Sequence, residues 1–545
     1  MVPELSRRHP AARAARHGRT GAPPRSAVIE PLISEARAGA RGAPGRFLSR
    51  KVTSMEQQAS DVTLHVATSV DEVRRPGVPH TVDFTVLQLN DVYEAAPVEG
   101  GRLGGLARVA TLRRQLAERE PNLLVLMIGD FLSPSPISAT TGDAGMHMVE
   151  ALNAMGLTHA TVGNHEFDIA ESDLKLRIAE SKFRWIVSNV KNVVDGAPVP
   201  FEHVTENEVF EFANAAGEKA RVALIGVCLD MAKKPWLAYQ NPVESAREQV
   251  SKLEGQADVF LAMTHLTMGE DQALGVAVPR LDVLFGGHEH QAATAIVGAD
   301  RTPIFKADSN ARSAFIHRFR YDTQTKVTTL NSELVKIDAS FAEDPETAAI
   351  VKRWQDATFE TLRRQGFEPL TVVGRATEPL DGYEEAVRNR STNLTQLIAE
   401  TFLAEVPEAD AVALPSGLVR IDGIIAPGDI TYFDVVRIFP VNGKLSVLSV
   451  PGALLGPFLS MGAASKGTGV FQILANVTRS ESGEWLVKGA PIASDRRYAI
   501  VMGEVPAAAL SYPPYKGTGT TKLFDTRDMR AILTDRFKKD LPKAG

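Results

Sequence analysis

From Thr81 onward the chain repeats one local pattern: a short apolar run stops at a polar cluster, and a stretch with helical spacing follows. Phe84 to Leu89 (FTVLQL) runs into Asn90-Asp91, Leu123 to Ile128 (LLVLMI) into Gly129-Asp130, and Ala160 to Val162 into Gly163-Asn164-His165. The pattern continues in Val222 to Val227, in Val259 to Thr264 before His265, and in Leu281 to Phe285 before Gly286-Gly287-His288-Glu289-His290. Uninterrupted runs of this length predict strands covered on both faces, and their alternation with helical stretches predicts an α/β layered domain. Asp344 to Gln365 predicts a linking helix, with Asp344-Pro345 as cap and first turn and Gly366 as stop. Beyond about Leu370, strands (Ala411 to Leu414, Lys444 to Val450) again mix with helices (Thr392 to Ala404, Ala453 to Met461).

The segment before this pattern differs in kind. Met1 to about Thr53 is rich in Arg, Ala, Gly and Pro, contains no Asp and keeps no sustained period, which predicts disorder. Its composition resembles an organellar transit segment, and a true start at Met55 is the equal alternative. The chain therefore divides into a basic tail and lead-in (1–80), a first domain (81–340), a linker helix (341–369) and a second domain (370–545).

Charge sharpens this division. Residues 1 to 54 carry ten Arg and one Lys against three Glu, or +8, so the net charge of −6 leaves about −14 on the remainder. An acidic body argues against a nucleic-acid polymer as partner, because phosphate neutralisation needs clustered Lys and Arg. No apolar stretch reaches the roughly 18 to 20 residues that span a bilayer, and the leader has no apolar core of a secretory signal. The default compartment is cytoplasmic, with organellar or exported locations as alternatives. The single cysteine, Cys228, lies in an apolar run and is read as a buried, inert thiol.

The candidate chemistry lies where the apolar runs stop. Asp91, Asp130, Asn164, His165, His265, His288 and His290 each follow a strand-like run, so neighbouring strands would deliver all seven to one edge of the layer, where open α/β sheets bind ligands. Each alone is explained by a turn, a cap or a satisfied core histidine. Together they offer oxygen and nitrogen donors suited to Mn, Zn, Fe or Mg, with no thiolate for a structural zinc site. Two such ions sharing a carboxylate suit displacement at phosphorus.

Asn90-Asp91-Val92-Tyr93, Gly129-Asp130, Gly163-Asn164-His165-Glu166-Phe167-Asp168, Thr264-His265 and Gly287-His288-Glu289-His290 stand in the order and approximate spacing of the calcineurin-like metallophosphatases. With Arg388-Asn389-Arg390-Ser391-Thr392-Asn393-Leu394, Arg420 and Gly428-Asp429-Ile430-Thr431-Tyr432, the chain resembles their two-domain 5'-nucleotidase branch from about Phe84 to Tyr498. The resemblance implies a β-sandwich flanked by helices, then a smaller α/β domain that binds substrate. It implies two divalent metals, with Asp130 bridging, Asp91 and His290 on the first, and Asn164, His265 and His288 on the second. It further implies a metal-bridging hydroxide as nucleophile, His165 stabilising charge on the phosphoryl group or leaving oxygen, and Asp168 orienting that ring. The implied substrate is a nucleotide or another small phosphate ester, with Arg388 and Arg420 as anion-binding forks.

Two departures stand out. The family's first motif is Asp-x-His, where this chain has Asp91-Val92-Tyr93. Tyr93 has three options: phenolate ligation of a harder metal such as iron, a hydrogen bond to metal-bound water, or an orientation away from the site. The first two are preferred because the other positions are intact. The family also stacks the base between two aromatic rings. Phe471, in Gly467-Thr468-Gly469-Val470-Phe471, matches the first or is a core aromatic, while Gly503-Glu504-Val505 lacks the Asn-Asp and aromatic of the second. Non-nucleotide phosphoesters or a thiosulfonate are therefore alternative substrates, and a metal-binding protein without turnover is a third reading. Lys306, Asp308, Asn310 and Arg312 read equally as polar groups that support the proposed ligands or as a solvated turn, and Gly100 to Gly105 as a flexible loop entering a helix.

Overall fold

A computed structural model describes residues 63–66, 79–120, 122–503 and 521–539. The expectations for residues 1–54, including a start at Met55, lie outside the described residues, as do Glu504 and Val505.

Two sheets build the first part of the chain. The eight-stranded sheet centres on Ser313–Asp322, Thr81–Leu89, Leu123–Ile128, His159–Thr161 and Arg184–Ile186, in that order. The six-stranded sheet runs Ala293–Val297, Thr302–Lys306, Val283–Gly286, Val259–His265, Lys219–Cys228 and Asn207–Ala213. The strands that end in polar clusters pair in parallel within each sheet, so their carboxyl ends share one rim.

Side-chain alternation explains why these strands read as continuous apolar runs. Val82, Phe84, Val86, Leu124, Leu126 and Ile128 face Leu224, Leu261, Met263, Val283 and Phe285 of the other sheet in one buried cluster. Their neighbours Leu87, Leu89, Val125 and Met127 belong instead to the core that includes Leu106, Val109 and Leu112 of helix Leu106–Ala117 and Met148 and Leu152 of helix Met146–Met155. On the second sheet Ala223, Ile225 and Phe260 join Ala246 and Val250 of helix Pro242–Leu253. Period-two alternation with both faces covered yields helix, sheet, sheet, helix. Inside the sandwich, buried Gln88 ties the sheets together by donating to the carbonyls of Gly286 (3.1 Å) and Phe305 (2.9 Å).

The helix Pro345–Arg364 follows, with the Asp344 side chain accepting from the Thr347 N–H and Gly366 at φ 90° past its end. The remainder is a five-stranded sheet ordered Gln472–Ala475, Ala411–Pro415, Arg497–Gly503, Lys444–Pro451 and Thr521–Asp528. Helices Asn393–Glu405 and Met529–Lys538 contribute to one of its cores and helix Gly452–Ala464 to the other. The Arg437 guanidinium joins this part to the first through a two-bond contact with Glu94 (2.9 and 2.8 Å).

Candidate active site

The rim where the two sheets end carries the site. The first sheet supplies Asp91, Asp130, Asn164 and His165, and the second supplies His265, His288 and His290. The expectation of one layer's edge is thus corrected: two facing sheets share the residues, which lets carboxylates of one sheet meet imidazoles of the other.

The backbone is bent sharply to achieve this. Asp91 (φ 53°), Asp130 (φ 56°) and His288 (φ 77°) all occupy the left-handed region, each costing on the order of 1–3 kcal/mol unless the surroundings enforce it. Hydrogen bonds enforce it here. Asp91 Oδ2 accepts from the His288 N–H (2.9 Å) and Asn90 Nδ2 (2.9 Å), and Asp130 Oδ1 accepts from the His165 N–H (2.8 Å). The buried Glu166 carboxylate accepts four backbone N–H groups, from Asp130, Phe131, Leu132 and Gly163, at 2.6–3.1 Å. Gly163 allows the close approach, since a Cβ there would lie 2.1 Å from Asp130 Oδ1.

The side chains converge in two groups. One ligand atom each from Asp130, His265 and His288 lie within 4.8 Å of one another. On the other side of Asp130, Tyr93 Oη donates to Asp130 Oδ2 (2.9 Å) and lies 3.2 Å from His290 Nε2, which is 3.6 Å from Asp91 Oδ1. His265 Nδ1 donates to the Ile128 carbonyl (2.8 Å), which turns its Nε2 towards Asp130 Oδ2 at 3.2 Å.

Burial and close opposite charges shift the acidities of the clustered groups strongly. Burial pushes the Asp91 carboxyl up to about 7. At Asp130 burial acts the same way, but the His265 and His165 rings more than reverse it and hold that carboxyl well below its ordinary value. Burial likewise works against charge on His265, yet Asp130 and Asp91 push it up to about 10, while burial and His265 keep His288 well below its usual range and neutral. Asp91 Oδ1 and Asn164 Oδ1 are buried without a hydrogen-bond partner, and His265 Nε2 faces the Asp130 carboxylate at 3.2 Å. Oxygen and nitrogen donors so placed around two carboxylates fit divalent metal ions.

His165 sits at the edge of this group. Its Nδ1 contacts Asp168 Oδ2 at 2.6 Å, and its Nε2 lies 3.2 Å from Arg420 Nη2, a residue of the second part of the chain. The Arg420 guanidinium also lies 5.5 Å from the centre of the Tyr93 ring. Arg388 is held by Glu384 at 2.6 Å, and its carbonyl accepts from the Gly467 N–H of the glycine-rich loop. Phe471 is half-buried, with its carbonyl accepting from the Ser416 N–H. Arg390 pairs with Asp381 at 3.0 Å and lines a cavity together with His290, Arg312 and Asp422.

Sequence reasoning missed several supporting residues. Asp422 Oδ2 accepts from His290 Nδ1 (2.9 Å) and from the Ser309 hydroxyl, its Oδ1 accepts from the Glu384 N–H, and Arg312 stands 3.7 Å away. Its only sequence signal is its place two residues after Arg420. The Lys306 to Arg312 run is not a solvated turn. Lys306 is fully buried, contacts Glu289 and Asp271, and donates to the carbonyls of Leu266 and Gly287, while Asn310 Oδ1 caps the N–H groups of Tyr93 and Glu94. The 100–105 loop is not free throughout, because a Cβ on Gly104 would meet the Asn310 carbonyl at 2.4 Å. Cys228 is buried, as expected.

Comparison with known proteins matches both parts of the chain. The calcineurin-like phosphoesterase model matches residues 84–292, and the model of the 5'-nucleotidase C-terminal domain matches residues 372–507. The chain is 24% identical over 509 residues to protein UshA of Yersinia enterocolitica, covering 81% of this chain and 87% of that protein. Its fold is similar to a 5'-nucleotidase precursor from Thermus thermophilus (TM-score 0.67, 18% identity, 84% and 96% of the two chains). It is also similar to the sulfate thiohydrolase SoxB of the same organism (TM-score 0.65, 16% identity, 85% and 95%).

Proposed function

This chain belongs to the calcineurin-like phosphoesterases that carry a 5'-nucleotidase C-terminal domain, and on that premise we propose that it removes phosphate from nucleotides at a centre of two divalent metals. It is a hydrolase of phosphate esters, and its family implies divalent metal ions. The observation that carries the nucleotide reading is the reach of Arg420 from the second domain to His165 Nε2 at 3.2 Å, which joins a substrate-binding guanidinium to the phosphoryl-handling histidine.

Asp91, His290 and Asp130 would hold one ion, and Asp130, Asn164, His265 and His288 the other. When bound, the metals supply Lewis acidity that activates water and neutralises charge on phosphoryl oxygens. The chain's own groups do the rest. Asp168 fixes the His165 ring so that Nε2 points at the space Arg420 faces, where it can donate a hydrogen bond or proton to the departing oxygen. Arg420 and Arg388 would bind phosphate as planar forks, with Glu384 setting Arg388 in place. Phe471 would offer one face to the base. Mn, Zn, Fe and Mg all suit the donors.

The test is phosphate release from AMP, UDP-glucose, a 2',3'-cyclic nucleotide and p-nitrophenyl phosphate by metal-stripped protein resupplied with Mn²⁺, beside His165→Ala. Metal-restored release biased to one nucleotide and strongly reduced in the variant supports the reading. Release no greater than the variant's from any substrate overturns it, and a thiosulfonate in the same panel tests the sulfur-ester alternative.

A further inference from the structure

We infer that Lys306 is a positioning residue for one ion alone, the one assigned to Asp130, Asn164, His265 and His288, because it fixes His288 and His265 against each other. The inference rests on the two-metal reading above and goes beyond it by naming a residue, outside the ligand set, on which the affinity of a single ion depends. Lys306 is fully buried. Its Nζ donates to the Gly287 carbonyl (2.8 Å) and contacts the Glu289 carboxylate, so it grips the residues on either side of His288. It also donates to the carbonyl of Leu266 (2.7 Å), the residue after His265, and pairs with Asp271 Oδ2 at 2.8 Å. One ammonium thereby ties the loops that carry both imidazoles to helix Met268–Ala277.

The backbone leaves room for this tie. A Cβ on Gly286 would lie 2.7 Å from Lys306 Cε and 2.8 Å from its Cγ, so the lysine stem passes where a side chain could not stand. His288 follows at φ 77°, a conformation that persists only where its surroundings hold it. Its own N–H bonds to Asp91 Oδ2, and the Lys306 contacts at Gly287 and Glu289 add a hold on each side. Glu289 is fastened in turn, its Oε1 accepting from the Met268 N–H at 2.7 Å. His290 has separate anchors: its Nδ1 donates to Asp422 (2.9 Å), and its carbonyl accepts from Arg312 Nη2 (2.8 Å) and the Ser309 N–H (3.1 Å). Removing the ammonium leaves Asp271 and Glu289, which both touch it, as uncompensated like charges that push the loop from the helix. The loss therefore falls on the ion of His265 and His288 and spares that of Asp91 and His290.

The experiment titrates metal-stripped full-length protein with Mn²⁺ by calorimetry and records the electron paramagnetic resonance spectrum of the loaded protein, beside Lys306→Met, Lys306→Gln and Glu289→Gln. Met keeps the stem without the charge, and Gln restores N–H donors for the two carbonyls. The parent should bind two Mn²⁺ with the exchange-coupled spectrum of a pair. In Lys306→Met one affinity should fall about 10- to 100-fold, the usual effect of losing a group that orients ligands, and the spectrum should become that of an isolated ion. Lys306→Gln should recover part of the loss, and Glu289→Gln, which keeps the ammonium, should show a smaller one. Combined with Asp422→Asn, which removes the support of His290, Lys306→Met should weaken both ions. A double variant that still holds one ion at the parent affinity overturns the assignment. Two unchanged affinities in Lys306→Met also overturn it, as do two that fall together, since general loosening would not choose between the ions. If Lys306→Met does not fold, unchanged affinities in Glu289→Gln overturn it. A parent that binds fewer than two Mn²⁺ removes the two-metal reading and the assignment with it, whereas a two-ion parent beside unaffected variants removes the assignment alone.

Discussion

Asp422 Oδ2 accepts a hydrogen bond from His290 Nδ1 at 2.9 Å, linking residues 132 positions apart. A carboxylate of the second domain thereby sets the tautomer and ring orientation of a proposed metal ligand in the first. Arg312 and His290 hold Asp422 well below the usual carboxylate range, against the opposing effect of burial, so it is anionic at neutral pH. Asp422→Asn keeps a residue tolerant of its φ of 39° but removes the charge. Calorimetric titration with Mn²⁺ should show affinity reduced about 10- to 100-fold, the usual cost of losing such a partner. Unchanged affinity would show that the contact has no influence on the metal.

His165→Ala and Asp168→Asn should separate chemistry from metal binding. Removing the ring is expected to lower kcat by about 10²–10⁴-fold, with a smaller loss for Asp168→Asn, because the 2.6 Å contact only orients the ring. Steady-state kinetics with metal analysis checks this, since neither side chain belongs to the proposed ligand set and metal content should hold.

Glu166→Gln should disturb the site through the backbone. One carboxylate accepts four N–H groups, and an amide offers a single acceptor oxygen while turning an NH₂ towards the remaining donors. Loss of charge-assisted bonds to buried donors is worth about 1.5–3 kcal/mol each at most, so a destabilisation of several kcal/mol is expected in denaturant unfolding, together with weakened metal binding. A fully stable variant would show that the loop holds its shape unaided.

Stability should also depend on pH through Asp282, away from the site. It accepts from the Phe260 N–H (2.7 Å) and Arg280 (3.1 Å), and burial pushes its carboxyl up from 3.8 to about 6. A raised folded-state value means the native protein binds this proton more tightly than the unfolded chain. The group therefore costs nothing below about pH 4, and its destabilising effect grows to roughly 3 kcal/mol as pH rises through 6. Asp282→Asn removes that term, so urea unfolding at about pH 4.5 and 7.5 should show a shallower decline than in the parent protein. Parallel declines in the two proteins would refute it.

Where the chemistry stands along the chain is written in the local order of apolar and polar residues. Each proposed ligand follows an apolar run, and the end of a strand is a local event, written where residues able to be buried on both faces give way to Asn, Asp, Gly or His. The helix Pro345–Arg364 was legible for the same reason, since Asp344, Pro345 and Gly366 act within one turn of the backbone. Packing between distant elements sets the rest: two facing sheets share the site, Tyr93 Oη points between Asp130 and His290, and Asp422 and Arg420 close on it from the second domain. It also decided that Lys306 is a fully buried tie between loops. These relationships join residues from 19 to 255 positions apart, and such distances are settled by packing and charge pairing between elements, which no local pattern encodes.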